Sequence, residues 1–92
     1  MILQIYAFKD KQLGSFLNPY YTDTTADNSA EHIRRFLAKE DLEKVVKYRH
    51  LVLYHLGEFN DVDGSIKHCD TATYLFDCDD VLDVRFTENG SN

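Results

Sequence analysis

The residues best equipped for chemistry gather in the second half of the chain. The stretch LYHLGEFNDVDGSI, residues 53–66, carries a histidine, His55, and the oxygen donors Glu58, Asn60, Asp61, Asp63 and Ser65. Asp61, Asp63 and Gly64 look like a fragment of a calcium loop. A working loop needs a further ligand ahead of its glycine and a bidentate acid several residues later. Here Gly64 follows Asp63 at once, and Ser65, Ile66 and Lys67 come next, so no acid stands where one is required. A hairpin accounts for the stretch better, with Asp63-Gly64 supplying the positive φ of a tight turn.

His68 and Cys69, with Cys78 further on, offer three metal ligands. Their spacing matches no zinc pattern, and a fourth ligand is missing from the local sequence. No metal or other cofactor is expected. His55, between Tyr54 and Leu56 in a predicted strand, reads as a half-buried structural histidine. Cys78 lies in DCDDVLD, where adjacent carboxylates disfavour the thiolate and argue against a nucleophile. The acids of that run suit a solvated face better than acid–base catalysis. Ser15, Ser29, Ser65 and Ser91 read as turn, cap or tail residues, and the glycines are isolated, so no phosphate loop exists. Nothing in these patterns argues for an enzyme.

Charge is unevenly spread. The net value is -6, and from Glu58 onward only Lys67 and Arg85 oppose Glu58, Asp61, Asp63, Asp70, Asp77, Asp79, Asp80, Asp83 and Glu88. That third should repel nucleic acid. Residues 30–50 instead hold Arg34, Arg35, Lys39, Lys44, Lys47 and Arg49 against Glu31, Glu40, Asp41 and Glu43. These six bases are the candidate nucleic-acid contacts. Binding through them should be weak and favour single strands, because strong binding needs a dense cationic face. Tyr6, Phe8, Tyr20 and Tyr21 would make a base-stacking platform beside them if the first two strands pair. Core packing is the plainer use of those rings.

The elements that must position these residues follow from periodicity. ILQIYAF, residues 2–8, is a strand whose cleaner core face is Leu3, Ile5 and Ala7. KDKQLG turns, and SFLNPYY returns as a second strand that Pro19 confines to an edge. A helix is predicted from about Asp27 to Lys39. Asn28 and Glu31 have capping-box spacing, and Ala30, Ile33, Phe36 and Leu37 form its apolar stripe. Leu42, Val45 and Val46 after Asp41 suggest a short second helix. LVLYHLGEF is the third strand and SIKHC begins the fourth. TATYLF continues the fourth past a bulge or forms a fifth, DCDDVLDVRF is ambiguous between helix and strand, and TENGSN is a tail.

The sum is an α+β fold: a small antiparallel sheet in ββα(α)ββ order with one main helix on one face. It makes a single domain over residues 1–86, with a flexible tail over 87–92. Two cysteines are too few for a disulfide framework, which suits a reducing cytoplasm. No apolar run approaches membrane-helix length and no signal sequence opens the chain. A strand edge or aromatic face left uncovered would allow self-pairing, so a homodimer is expected.

Taken in order, MILQIYAFKDKQLGSFLNPYY, the helix with IRRF and LVLYHLGEFNDVDGSI resemble a known family. They are similar to the small nonstructural protein of gokushovirus-like microviruses, which are circular single-stranded DNA phages. The resemblance rests on Asp10, on the Pro19-Tyr20 step, on Arg34 to Phe36, and on Leu53, Tyr54, Leu56, Gly57, Glu58 and Phe59. The acidic turn ending in Gly64 also fits. It covers roughly residues 1–67, most of one domain. The segment EDLEKVVKYRH and the end DCDDVLDVRF depart from the family pattern.

The resemblance implies a nonstructural accessory protein of the host bacterial cytoplasm. Its expected role is in single-stranded DNA genome replication or packaging, through contacts with phage or host proteins. Direct, weak single-stranded DNA binding is one alternative. The other is an acidic inhibitor or DNA mimic directed at a basic host protein. The resemblance brings no catalytic residue with it.

Overall fold

The computed structural model describes residues 1–90. The elements are β1 (Ile2–Asp10), β2 (Ser15–Phe16), β3 (Tyr20–Thr22), α1 (Ala26–Lys39), α2 (Leu42–Val45), a 3-10 turn (Val46–Tyr48), β4 (Leu51–Asn60), β5 (Ile66–Asp77) and α3 (Asp79–Gly90). Every strand pairing is antiparallel. The order across the sheet is β2-β1-β4-β5, with β3 pairing β1 on the same outer side as β2. The α+β class and the antiparallel sheet agree with the sequence reading.

Local chemistry explains most boundaries. SFLNPYY is two short strands rather than one, because Pro19 cannot donate to a ladder and sits in the break between them. Asp10 closes the β1–β2 turn by accepting from the N–H groups of Gln12 and Leu13 at 2.8 and 3.1 Å. Gly14 finishes that turn at φ 74°. Gly64 takes φ 75° at the end of NDVDG, and its N–H donates to the Asn60 carbonyl at 2.8 Å. That stretch is the hairpin turn the sequence suggests. The N-cap of α1 is Thr25, whose hydroxyl accepts from Asn28 N–H, so the Asn28–Glu31 box is not the cap. TATYLF continues β5, which ends at Asp77, and the rest of DCDDVLDVRF from Asp79 resolves as α3. Of the expected tail, residues 87–90 belong to α3, while 91 and 92 lie outside the described residues.

All three helices pack on one sheet face. Leu37 of α1, Val45 of α2, Leu82 of α3, Leu51 and Cys78 form the core, with Phe8, Ile33, Phe76 and Phe86 packed against it. Leu53 lies between Phe8 and Phe76 in the ladder and is fully buried. The helix-side face of β1 is therefore Tyr6 and Phe8, while Ile5 and Ala7 of the expected core face are buried on the other side of the sheet. Tyr6 is fully buried because its hydroxyl has a partner, donating to the Thr24 carbonyl at 2.7 Å.

One ionic node joins the ends of several elements. Lys11 Nζ reaches Asp77 Oδ2 and Asp79 Oδ2, both at 2.9 Å. Asp79 is nearly buried and accepts the His50 N–H at 2.9 Å. His50 has φ 69°, a costly conformation for a residue with a Cβ, and its carbonyl accepts from Lys11 N–H at 2.8 Å. Arg85 of α3 donates to the Leu37 carbonyl in the last turn of α1, tying those helices together.

Burial alone would push the Asp79 carboxyl up. The His50 N–H and the Lys11 ammonium outweigh it and hold the group below its ordinary value. A depressed carboxyl stabilises the fold above its unfolded pKa, and that contribution is lost as pH falls through the folded one. We expect Asp79→Asn to melt earlier than wild type at pH 7, by about 1–3 kcal/mol. The gap should close below about pH 4. Thermal melts of both proteins from pH 7 to pH 3 check this, and a gap constant with pH would refute it.

Candidate functional site

The sheet face without helices is the most distinctive surface. Its residues follow from the ladder partners: Leu3 with Phe59, Ile5 with Tyr21 and Gly57, Ala7 with Tyr54, and Lys9 with Phe16 and Val52. The strands flanking β1 lie about 10 Å apart. Yet the rings of Phe16 and Tyr54 have centroids 5.3 Å apart, and those of Tyr21 and Phe59 are 5.6 Å apart. Both pairs must lean across β1 to meet. They roof Ala7 and Ile5, which explains why both are buried on a face no helix covers. Tyr74 extends the first pair, edge-on to Tyr54 at 6.2 Å.

These rings stay partly in solvent: Phe16 is 43% exposed, Tyr21 48% and Tyr74 55%. Lys9 sits over the Phe16 ring at 5.6 Å. The surface is aromatic, continuous over two clasps and low in charge. Sequence reasoning found Tyr21 but not its companions, since the other rings come from three separate strands. The expected platform of Tyr6, Phe8, Tyr20 and Tyr21 does not form as a set. Tyr6 and Phe8 face the helices, and Tyr20 is drawn to them at 5.7 and 6.4 Å.

The six candidate bases lie on the helices and the connector that follows, away from this face. Arg34 and Arg35 both pair with Glu31, at 3.3 and 3.2 Å. Lys44 pairs with Glu40 at 3.4 Å. Arg49 pairs with Asp83 at 3.5 Å and lies over the Phe86 ring at 4.6 Å. Lys47 lies over the Tyr48 ring at 5.5 Å. Lys39 is exposed in the last turn of α1. Most of the set already has an anionic or aromatic neighbour within the chain, and none is joined to the exposed rings.

The candidate metal ligands are not brought together. Cys78 is buried in the helix-side core, while His68 is exposed on the β4–β5 arm. Among the described residues no group of His, Cys, Asp and Glu is placed to hold a metal. The Cys78 thiol is pushed up to about 12 by burial and by the charges of Asp77 and Asp79. This agrees with the argument against it as a nucleophile. His55 is half-buried as expected, but its ring nitrogens are both engaged. Nε2 lies 2.7 Å from Gln4 Oε1, and Nδ1 lies 3.7 Å from Cys69 Sγ.

Comparison with protein-family models, with curated proteins and with solved structures finds no match. No helix among the described residues is long and apolar enough to cross a membrane.

With its cations so engaged, the helical surface should bind a single-stranded oligonucleotide no tighter than non-specific binding, about 10⁻⁴ to 10⁻⁶ M. Arg34→Glu with Arg35→Glu should remove that binding and shift stability by no more than about 0.5 kcal/mol. Fluorescence anisotropy at low and moderate salt, beside a thermal melt, checks both. Nanomolar binding that survives moderate salt would refute the assignment.

Proposed function

We propose that the protein acts by holding a protein partner on its helix-free aromatic face, as an accessory factor in single-stranded DNA genome replication or packaging. The biological setting, including a bacterial cytoplasm, rests on the resemblance carried by residues 1–67. The mode of action rests on one observation: Phe16, Tyr21, Tyr54, Phe59 and Tyr74 share a face that no helix covers. Partly exposed aromatic residues with little charge between them are the composition of a protein-interface centre.

Charge favours protein over nucleic acid on this face. A single-strand binder joins stacking rings to a cationic groove. Here Lys9 is the cation held against the rings, and the helical bases are elsewhere. The chain's charge of -6 also favours a partner with basic residues around an apolar patch over a second, equally acidic copy.

Photo-crosslinking tests the reading. Benzoylphenylalanine in place of Tyr74 should crosslink a protein other than this chain in cells replicating such a genome, and the same group in place of Arg35 should not. Phe16→Ser in the Tyr74-substituted chain should lower the crosslink by about tenfold, the effect of losing roughly 1.4 kcal/mol at the contact. Crosslinks to DNA from position 74, crosslinks between two copies, or partner capture from position 35 alone would each overturn it.

A further inference from the structure

We propose that Cys69 is an activated thiol that accepts an acyl group from an ester or thioester, with His55 as its base and Gln4 as the residue that sets the imidazole. The site lies on the opposite side of the sheet from the aromatic face and does not depend on the partner reading.

The three side chains come from three neighbouring strands. Gln4 is on β1, His55 on β4 and Cys69 on β5. His55 Nε2 is 2.7 Å from Gln4 Oε1, so Nε2 carries the ring proton and donates it to the amide oxygen. The other nitrogen, Nδ1, then holds its lone pair toward Cys69 Sγ at 3.7 Å. One hydrogen bond fixes the tautomer, and the other points the free base at a thiol. This is the arrangement that nucleophile–base–orienter sites share. Cys78 offers no comparable chemistry, being buried with its thiol pushed up to about 12.

The backbone around the thiol is also unusual. The β4–β5 register runs from His55 opposite Thr73 to Gly57 opposite His68. Cys69, Asp70, Thr71 and Ala72 therefore have no register partner on β4. Bulges of this kind re-aim side chains and release backbone N–H groups from the ladder. Here too lies a groove of about 180 Å³, lined by His55, Gly57, Glu58, Lys67, His68 and Cys69. Gly57 lets the β5 backbone come this close, since a Cβ there would strike the Lys67 carbonyl.

The acyl step balances without a cofactor. Sulfur attacks the carbonyl carbon as the thiol proton passes to His55 Nδ1, and the carbonyl electron pair moves to oxygen. When the carbonyl re-forms, the bond to the alcohol or thiol breaks, and the leaving group takes the proton from Nδ1. Cys69 is left as a thioester. The groups that face His55 are Gln4, Tyr6 and Cys69, with Glu58, Lys67 and His68 sharing the groove. Tyr6 stays neutral through this chemistry, because burial raises its hydroxyl.

The probe is p-nitrophenyl acetate. Wild type should release a burst of one nitrophenolate per chain, with the acetyl group found on Cys69 by peptide mass spectrometry. The rate at pH 7 should exceed that of free cysteine by about a hundredfold, the lower reach of a positioned base. Cys69→Ser should abolish the burst, His55→Ala should return the rate to that of free cysteine, and Cys78→Ser should change neither. Gln4→Ala should slow acetylation and move the pH midpoint, which a merely structural glutamine would not do. If His55→Ala does not fold, the wild-type profile of rate against pH decides. A wild-type rate no faster than free cysteine across that profile overturns the proposal.

Discussion

A sheet has two faces, and this chain places all its helices on one. That imbalance governs the rest of the structure. A domain of this size buries a limited share of its surface, so a central strand left bare on one side is a serious loss. β1 is the strand at risk, because β2, β3 and β4 flank it and Ile5, Tyr6 and Ala7 are all buried. Helix α1 and the β3–α1 connection cover Tyr6. Two pairs of aromatic rings reaching over β1 cover Ile5 and Ala7. The same rings that complete the core present their outer edges to solvent, so stability and recognition draw on one set of residues.

The helical layer is held to the sheet partly by charge. Lys11, in the first turn, meets Asp77 at the end of β5 and Asp79 at the start of α3. Asp79 in turn holds the N–H of His50, whose positive φ redirects the chain into β4. One carboxylate thus serves a turn, a strand end and a helix start. The acidic run around Cys78 is not a solvated face throughout: Asp79 is nearly buried and paired, whereas Asp80 and Asp83 are exposed.

Much of the architecture was legible in the sequence because hydrophobic period and turn chemistry agree there. The stripe of Ile33 and Leu37, the edge role of Pro19 and the Gly64 turn all follow from local rules. The alternation in β1 found Ile5 and Ala7 but missed Tyr6 and Phe8, because the strand is apolar on both sides and neither face looks solvated. The ambiguous DCDDVLDVRF became a helix through tertiary packing of Leu82 and Phe86, which no local pattern displays. Neither the aromatic face nor the Gln4–His55–Cys69 row could be read in advance. Each joins residues from separate strands, and the joining depends on register. His55 was seen as structural because its partners stand 51 and 14 positions away.

Register itself turns on Leu56. Between Ile5/Gly57 and Tyr6/His55, β4 spends one residue more than β1. Because strand side chains alternate with period two, that extra residue decides which way everything beyond it points. It puts Phe59 on the face of Tyr21 rather than among the helix-side residues. A homologue lacking position 56 would keep the facing of residues 57–60 and straighten the strand. A homologue that lost residue 57 or 58 and kept the bulge would turn the ring of Phe59 away from Tyr21 and uncover Ile5. Gaps in alignments of related chains should therefore collect at position 56 and avoid its C-terminal neighbours.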